Sequence, residues 1–260
     1  MRRIVIRQVA VVVIAPSRTA ARPVKEYPLD AAIAAAARPK GDIDALVRLA
    51  ETDMAAVDAL IIDRMQSDVP IIPKLAEHLV SAGGKRLRPL ITVAAARATG
   101  AADDIGAPRK LAAAVEFIHT ATLLHDDIVD ASELRRGKVA AHLIWGAPTS
   151  VLVGDFLFAR AFELMVETDS MRALGILAEA SRVISEGEVL QLTRAHDLNL
   201  DQDTYLQIIS AKTAELFAAA AEAGAVGAGA NAASVQALRD YGMALGIAFQ
   251  LADDALDYGA

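Results

Sequence analysis

The sequence contains no cysteine and few aromatic residues. The absence of cysteine excludes disulfide bonds, cysteine-ligated zinc, iron–sulfur clusters and cysteine nucleophiles. Aromatic residues make up 4% of the 260 residues, whereas apolar residues make up 54%. Alanine, leucine, valine and isoleucine must therefore fill a sizeable core, which favours close-packed helices over a β-sandwich.

Long hydrophobic runs are also missing from the sequence. The longest early apolar run, Val9 to Ala15, is far shorter than the roughly 20 residues that span a bilayer. No transmembrane segment is expected, and a cytoplasmic location is predicted. The basic, acid-poor start leaves organelle targeting open, while Arg7 interrupts the apolar stretch that a secretory signal needs.

Negative charge is in excess, but the two signs are unevenly distributed. The net charge is −7. Residues 1–40 carry eight basic and two acidic residues, so they contribute +6 and leave −13 on residues 41–260. Such an acidic body argues against nucleic acid as a partner and is compatible with divalent cations.

Hydrophobic periodicity divides the chain into a tail and one helical domain. Residues 1–40 contain four prolines and no sustained helical period, so we predict a disordered or targeting-like tail. From Asp42, a candidate N-cap, apolar residues recur at three- and four-residue spacing. The pattern predicts an all-α domain over 41–260, with helices near 42–67, 71–82, 86–99, 108–130, 148–168, 171–195, 202–226 and 231–257.

A first acidic cluster lies at the end of the helix predicted over 108–130. Asp126 and Asp130 are four residues apart and share one helix face, and Asp127 lies about 100° around the helix from Asp126. Like charges on one face are destabilising unless a cation neutralises them, and oxygen ligands alone suit Mg²⁺. A solvent-exposed acidic helix end is the alternative interpretation.

The same D-D-x-x-D pattern returns at Asp253, Asp254 and Asp257, again at the end of an apolar helix. Two copies in one helical domain favour a shared role over chance. Mg²⁺ binds one or two carboxylates and completes its shell with substrate phosphates. Two opposed acidic faces therefore indicate metal ions that clamp a diphosphate.

Three basic segments are candidates for holding such an anion. Gly83-Gly84-Lys85-Arg86-Leu87-Arg88 places three cations at a helix start, where backbone N–H groups attract phosphate; an ordinary helix junction is the alternative. Arg135-Arg136-Gly137-Lys138 follows the first acidic cluster and suits an anion held jointly with metal ions, or is a solvated loop. Lys212-Thr213 lies mid-helix, where a surface lysine is the alternative.

Taken in order, these motifs resemble those of the trans (E-type) polyprenyl diphosphate synthases. The resemblance covers about residues 42–260. The stretch Glu116–Asp127 is especially similar to the long-chain octaprenyl, solanesyl and decaprenyl synthases that make quinone side chains. The matching motifs are Gly83–Pro89, Asp126–Asp130 with Arg135–Gly137, Gly154-Asp155, Lys212-Thr213, and Phe249-Gln250 before Asp253–Asp257.

The resemblance implies an isoprenoid synthase-type helical bundle around a central cavity, usually as a homodimer. It implies Mg²⁺-dependent condensation of isopentenyl diphosphate with an allylic diphosphate to a long-chain all-trans polyprenyl diphosphate. The reaction needs a stabilised diphosphate leaving group, and the departing diphosphate takes the proton, so no protein base is expected. The hydrophobic product could still bring the protein to a membrane surface.

The resemblance also assigns expected roles to single residues. The expected metal ligands are Asp126, Asp130, Asp253 and Asp257. Asp127, Asp254 and Lys212 are expected in the catalytic set. Isopentenyl diphosphate is expected at Lys85, Arg88, His119 and Arg136, and the allylic diphosphate at Arg135, Lys212, Thr213 and Gln250. His125 is expected to be a satisfied helix histidine.

Product length is expected to follow the depth of the cavity below the first acidic cluster. Ala121 and Thr122 lie about one turn before Asp126 and are small, which predicts an open tunnel and a long product. Ile118 is expected in the tunnel wall. A phenylalanine at Ala121 is therefore expected to shorten the product.

Two other functions fit parts of the pattern. A non-catalytic subunit of a heteromeric prenyl synthase typically loses one or both Asp clusters, whereas both are intact here. The chain stops at Ala260, before a further lysine-bearing diphosphate-binding segment that the family carries, so an incomplete C-terminus is expected and activity is uncertain on that ground. A class I terpene cyclase would lack the Gly-Gly-Lys-x-x-Arg-Pro segment and carry a different second metal motif.

Overall fold

The computed structural model describes residues 43–81, 84, 86–101, 105–195, 197 and 199–258. These residues are almost wholly helical. The helices are α1 Ile43–Arg64, α2 Ile71–Ser81, α3 Leu87–Ala98, α4 Gly106–Val129, α5 Ala141–Trp145, α6 Ala147–Val166, α7 Met171–Arg194, α8 Gln202–Ile209, α9 Glu215–Gly227 and α10 Ala232–Tyr258.

Local sequence signals account for several helix ends. Ser170 caps α7 by accepting a hydrogen bond from the Ala173 backbone N–H at 3.2 Å. Asp201 caps α8 by accepting from the Thr204 N–H at 2.7 Å. Small oxygen-bearing side chains satisfy first-turn N–H groups that have no partner inside the helix. The connections that lead into α7 and into α8 therefore each end at a residue type that favours helix starts.

The centre of the bundle is α9, which contacts α3, α4, α7 and α10. Its sequence, ELFAAAAEAGAVG, buries nearly every residue, and Leu216 and Phe217 supply its largest side chains. A helix that is apolar all round is a buried helix. The run of alanines lets neighbouring helices approach closely, which explains how a chain poor in aromatic residues fills its core.

Helix α10 lies unusually close to the turn that precedes α9. A Cβ atom on Gly246 would lie 2.4 Å from the Ala214 Cα atom. Only glycine permits that approach. This contact holds the end of α10, which carries the second acidic cluster, against the centre of the bundle.

The all-α prediction is confirmed, with three local features that periodicity missed. A two-stranded antiparallel hairpin pairs β1 (Leu134–Arg135) with β2 (Lys138–Val139). The five-residue α5 follows it, and a π-helical turn at Ser210–Ala214 joins α8 to α9. Elements this short lack the window that hydrophobic periodicity needs. The predicted tail and the Asp42 cap lie outside the described residues.

A buried carboxylate ties three helices together at one end of the bundle. Asp53 of α1 is 2% exposed. It accepts hydrogen bonds from Arg97 Nε at 2.9 Å and from Arg109 Nη2 at 2.7 Å. Burial alone would raise the pKa of Asp53, but the hydrogen bonds from both arginines outweigh it, so the pKa lies below its usual range.

Replacing Asp53 with Asn should lower the free energy of unfolding at pH 7 by about 3 kcal/mol, because one partner of a buried ion network is lost. A depressed carboxyl pKa stabilises the fold above the unfolded value near about 4 and loses that effect as pH falls below it. The deficit of Asp53→Asn should therefore shrink in acid. Urea unfolding at pH 7 and in acid measures it, with the exposed Asp63→Asn on the same helix as control.

No helix among the residues described is both long enough and apolar enough to cross a membrane.

Candidate active site

One cavity of about 720 Å³ opens between α4, α7, α10 and the start of α3. It brings together cationic, acidic and small polar side chains from segments far apart in sequence. Eleven predicted site residues line it: Arg88, His119, Thr122, Asp126, Asp130, Arg135, Arg136, Lys212, Thr213, Gln250 and Asp253. Lys85 lies outside the described residues.

Helix α4 supplies one continuous face of the cavity. His119, Thr122, Leu123, Asp126 and Asp130 all line it. These positions follow the spacing of three and four residues that places side chains on one face of an α-helix. The helical geometry inferred for Asp126 and Asp130 thus holds in the structure.

Asp127 does not join them on the cavity wall. Its side chain is 3% exposed and accepts a hydrogen bond from Arg135 Nε at 3.0 Å. The Ser132 N–H also donates to the Asp127 carbonyl oxygen at 2.8 Å. Asp127 therefore holds the hairpin that carries Arg135 and Arg136.

In the second acidic cluster, too, only some of the aspartates line the cavity. Asp253 lines the cavity, whereas Asp254 and Asp257 do not. Asp254 accepts a hydrogen bond from Gln250 Nε2 at 2.9 Å and another from the Tyr205 hydroxyl. Asp257 is exposed in the last turn of α10.

A chain of hydrogen bonds sets the orientation of Gln250. Thr213 Oγ1 donates to Gln250 Oε1 at 2.8 Å, and Gln250 Nε2 donates to Asp254. Because each end of the amide has a partner of the matching kind, the amide has one favoured orientation. The chain joins the π-helical turn to α10 and ends at Tyr205 of α8.

Both acidic clusters lie where a helix favours cations. Asp126 is in the last turn of α4 and Asp253 is in the second-to-last turn of α10, and neither last turn contains a basic residue. The negative end of the helix dipole opposes carboxylates there. Such placement costs stability unless cations offset it, which indicates a functional reason for it.

The donor set fits a hard divalent cation that shares its shell with a ligand. All candidate donors are carboxylate oxygens, which suit Mg²⁺ or Ca²⁺. Burial raises the pKa of Asp126 to about 7, with Glu188 and Asp130 adding to the rise and Lys212 opposing it. Within the described ranges no three acidic or histidine side chains form a complete metal site. Ligand oxygens would have to complete the coordination.

Another part of the cavity wall is basic. The Arg88 guanidinium lies 4.3 Å from the centre of the Phe217 ring, and Arg88 Nη1 lies 3.3 Å from His119 Nε2. Arginine only donates, so His119 Nε2 accepts and the neutral ring carries its proton on Nδ1. Burial and four nearby arginines lower the pKa of His119 well below its usual value. His119 can donate from Nδ1 but is unsuited to act as a base.

The loop before α3 and the hairpin meet at this basic side. Arg86 adopts a left-handed conformation (φ 48°) and donates to Glu116 at 2.6 Å. The guanidinium of Arg136 packs against Gly84, where an added Cβ would lie 2.6 Å from Nη1. The first turn of α3 with Arg88 therefore faces the cavity together with Arg136, and their charges suit an anion.

Comparison with known proteins identifies a family. The family model described as Polyprenyl synthetase matches residues 69–260. The chain belongs to the polyprenyl synthetase family. An octaprenyl diphosphate synthase from Escherichia coli (strain K12) is 48% identical over 219 residues, which are 84% of this chain and 67% of that protein.

Solved structures of the family share the fold. A polyprenyl synthase from Caulobacter crescentus CB15, complexed with calcium and isoprenyl diphosphate, has a TM-score of 0.82 and 76% identity over 86% of this chain and 67% of that one. A decaprenyl diphosphate synthase from Rhodobacter capsulatus has a TM-score of 0.81 and 57% identity over 84% and 66% of the two chains. This family member spans about two thirds of the length of these relatives.

The structure separates the three residues expected to set product length. Thr122 lies on the cavity wall, whereas Ala121 and Ile118 are fully buried in the hydrophobic core and do not line the cavity. Around the helix, Thr122 lies about 40° from Asp126 and Ala121 about 140°. The roles of Ala121 and Ile118 in product length stay predictions, and the geometry favours Thr122.

Two residues that support this family's motifs here were missed by sequence reasoning. Glu188 of α7 lines the cavity and accepts a hydrogen bond from Lys212 Nζ at 2.7 Å. Tyr205 donates to Asp254 across 49 positions of sequence. The position of Glu188 after Gly187 was the available signal, since a glycine within a helix often marks close packing. His125, as expected, is satisfied within the bundle: its Nε2 lies 3.2 Å from the Val151 carbonyl oxygen.

Proposed function

We propose that this protein is a trans-prenyltransferase that condenses isopentenyl diphosphate with an allylic diphosphate. The observation that carries the proposal is the distribution of charge in one cavity. Asp126, Asp130 and Asp253 come from two helix ends, and Arg88 and Arg136 face the same space. Acidic groups for metal ions and cationic groups for phosphates in one cavity suit two diphosphate ligands.

The acidic side of the cavity is proposed as the allylic diphosphate site. Asp126, Asp130 and Asp253 would hold Mg²⁺, with Asp257 as a further candidate. When bound, the metal ions supply Lewis-acid neutralisation of the leaving group. Arg135, Lys212, Thr213 and Gln250 are proposed to hydrogen-bond to the same diphosphate, and Asp127 and Asp254 to hold Arg135 and Gln250 in place.

The basic side is proposed as the isopentenyl diphosphate site. Arg88 and Arg136 supply charge, His119 donates from Nδ1, and Lys85 is a further candidate. The carbon–oxygen bond of the allylic diphosphate breaks and its electron pair leaves with the diphosphate. The isopentenyl double bond then attacks the allylic carbon, and the proton lost from the new chain goes to the departing diphosphate.

We further propose that the product is a long chain, of the kind that forms quinone side chains. It is supported by the names of similar proteins, which include octaprenyl and decaprenyl diphosphate synthases. A homodimer is also proposed, and exposed apolar side chains on α6 and α7, such as Leu152 and Met171, are available for such a contact. A cytoplasmic location stays a prediction from the sequence.

The test is transfer of labelled isopentenyl diphosphate to farnesyl diphosphate with Mg²⁺, and with EDTA as control. We expect Mg²⁺-dependent octaprenyl to decaprenyl products. Short products would contradict the proposed product length but not the proposed prenyl transfer. Turnover that appears only when a catalytic homologue is added would favour the non-catalytic subunit. Absence of both turnover and isopentenyl diphosphate binding would contradict the proposed function.

A further inference from the structure

Lys212 is held by an acidic partner inside the cavity. Lys212 Nζ donates to Glu188 Oε2 at 2.7 Å, and the side chains are 22% and 25% exposed. Lysine has a long, flexible stem and a strongly hydrated ammonium group, so it seldom keeps one position without a partner. The Glu188 contact therefore selects one position of the ammonium group among many.

The backbone around this pair is packed as closely as glycine allows. Lys212 lies in the π-helical turn Ser210–Ala214, and α7 passes beside it at Gly187. A Cβ atom on Gly187 would lie 2.8 Å from Ala211 Cβ and 3.0 Å from the Lys212 backbone nitrogen. Single π-helical turns inside α-helices occur frequently at functional sites. Here the turn and its glycine contact fix the base of the Lys212 side chain, and Glu188 fixes its tip.

The second oxygen of Glu188 has no such partner. Glu188 Oε1 is buried and accepts no hydrogen bond from any described residue. Burial raises the pKa of Glu188, although Lys212 opposes the rise. A buried carboxylate oxygen without a hydrogen bond costs stability, and a purely structural ion pair would not need to incur that cost.

We propose that Gly187 and Glu188 form a positioning device that holds the Lys212 ammonium at the acidic side of the cavity before substrate binds. This inference rests on the proposed function, because it takes a diphosphate as the ligand of Lys212. Glu188 is a positioning residue here: it acts through Lys212 and not on the reacting atoms. It also places a negative charge beside the site of an anion, so it weakens metal-free binding of the diphosphate while it sets the geometry that catalysis needs.

The first test measures binding without turnover. Isothermal calorimetry of inorganic pyrophosphate with EDTA compares the full chain with its Glu188→Gln and Glu186→Gln variants. Glu186 lies on the same helix, and its carboxylate pairs with Arg182 at the surface, so its variant is a charge-matched control. We expect Glu188→Gln to bind pyrophosphate about fivefold more tightly, since a like charge is removed and Lys212 is released. The control should be unchanged.

The proposal requires that the higher pyrophosphate affinity of Glu188→Gln depends on Lys212. In a Lys212→Met background the effect of Glu188→Gln should fall to about twofold, because no ammonium remains to be released. An equal gain in both backgrounds would overturn the positioning role. Unchanged affinity in Glu188→Gln would overturn the proposal as a whole.

Kinetics separate positioning from a structural role. Glu188→Gln should lower kcat about tenfold or more, because small displacements of a positioned group are costly. The KM for isopentenyl diphosphate should stay unchanged.

Glu188→Asp keeps the charge but shortens the side chain. It should therefore lower kcat, while its affinity for pyrophosphate stays near that of the unmodified chain. If Glu188→Gln does not fold, Glu188→Asp and Lys212→Met are used for the test instead. Equal rises in both KM values with a lower Tm would contradict the inference. If the unmodified chain shows neither turnover nor isopentenyl diphosphate binding, the proposed function fails, while the pyrophosphate measurement still tests the pair.

Discussion

Replacing Asp126 with Asn is expected to lower kcat by about a thousandfold, because a metal-binding carboxylate contributes several kcal/mol of transition-state stabilisation. Asp126 faces the cavity beside Lys212 and Asp130. Asn keeps the shape of the side chain but not its charge, so it should bind a hard cation poorly. The measurement is steady-state turnover at saturating substrates over a range of Mg²⁺ concentrations.

Stability should change in the opposite direction to activity. Burial raises the pKa of Asp126 to about 7. A carboxyl group with a raised pKa contributes most to stability below its unfolded value near about 4, and that contribution is lost as pH rises through the folded value. In metal-free buffer, Asp126→Asn should therefore gain stability relative to the unmodified chain between about pH 4 and 7. Urea midpoints measured across that range are the readout.

The neighbouring aspartate provides a sharp comparison. Asp127 is buried against Arg135, so Asp127→Asn should lower the urea midpoint by loosening the hairpin. Asp240→Asn, on the exposed side of α10, should leave both activity and stability unchanged. An Asp126→Asn variant with near-normal turnover would remove Asp126 from the metal site.

The sequence predicted the cavity residues where helix periodicity applies. His119, Asp126 and Asp130 share one face of α4 by spacing alone, and the structure keeps them on one wall. The spacing says which side chains lie together, but not whether their face meets the core, a cavity or solvent. That is why Ala121 and Thr122, adjacent in sequence, were given the same role and lie in different environments.

The contacts that hold the site residues in place were less predictable from the sequence than the site residues themselves. The partners Tyr205 and Asp254 are 49 positions apart, and Glu188 and Lys212 are 24 apart. Such pairs depend on how helices cross, which no local pattern encodes. The repeated D-D-x-x-D pattern also treats its members alike, whereas Asp127 and Asp254 point away from the cavity towards their own partners.

A phenylalanine at Thr122 should shorten the main product from octaprenyl–decaprenyl length towards farnesyl or geranylgeranyl length. Thr122 lines the cavity and lies one helical turn before Asp126. Its only side-chain hydrogen bond in the described structure runs within α4, from Oγ1 to the His119 carbonyl oxygen at 2.8 Å. Replacement therefore breaks no contact between helices. An aromatic ring there would occupy the space into which the growing chain extends.

The first condensation should be less affected than product length, because the ring would lie below the reacting carbons. Turnover with a short allylic primer should stay within about fivefold, whereas long products disappear, since filling apolar space excludes a ligand without disturbing distant polar contacts. Chromatography of the labelled products measures both effects. Thr122→Val, which keeps the volume and removes only the hydroxyl, should give the unmodified product distribution.

Ala121→Phe is the decisive counterpart of Thr122→Phe. Ala121 has 0% exposure in the core, so the added ring should cost about 1–3 kcal/mol of stability through overpacking. The sequence alone predicts that this ring shortens the product, whereas the position of Ala121 outside the cavity lining predicts that it does not; the products of the folded fraction decide between the two. A folded, active Ala121→Phe enzyme with short products, beside a Thr122→Phe enzyme with long ones, would place the elongation tunnel on the other face of α4. The opposite pattern would assign the floor of the tunnel to Thr122.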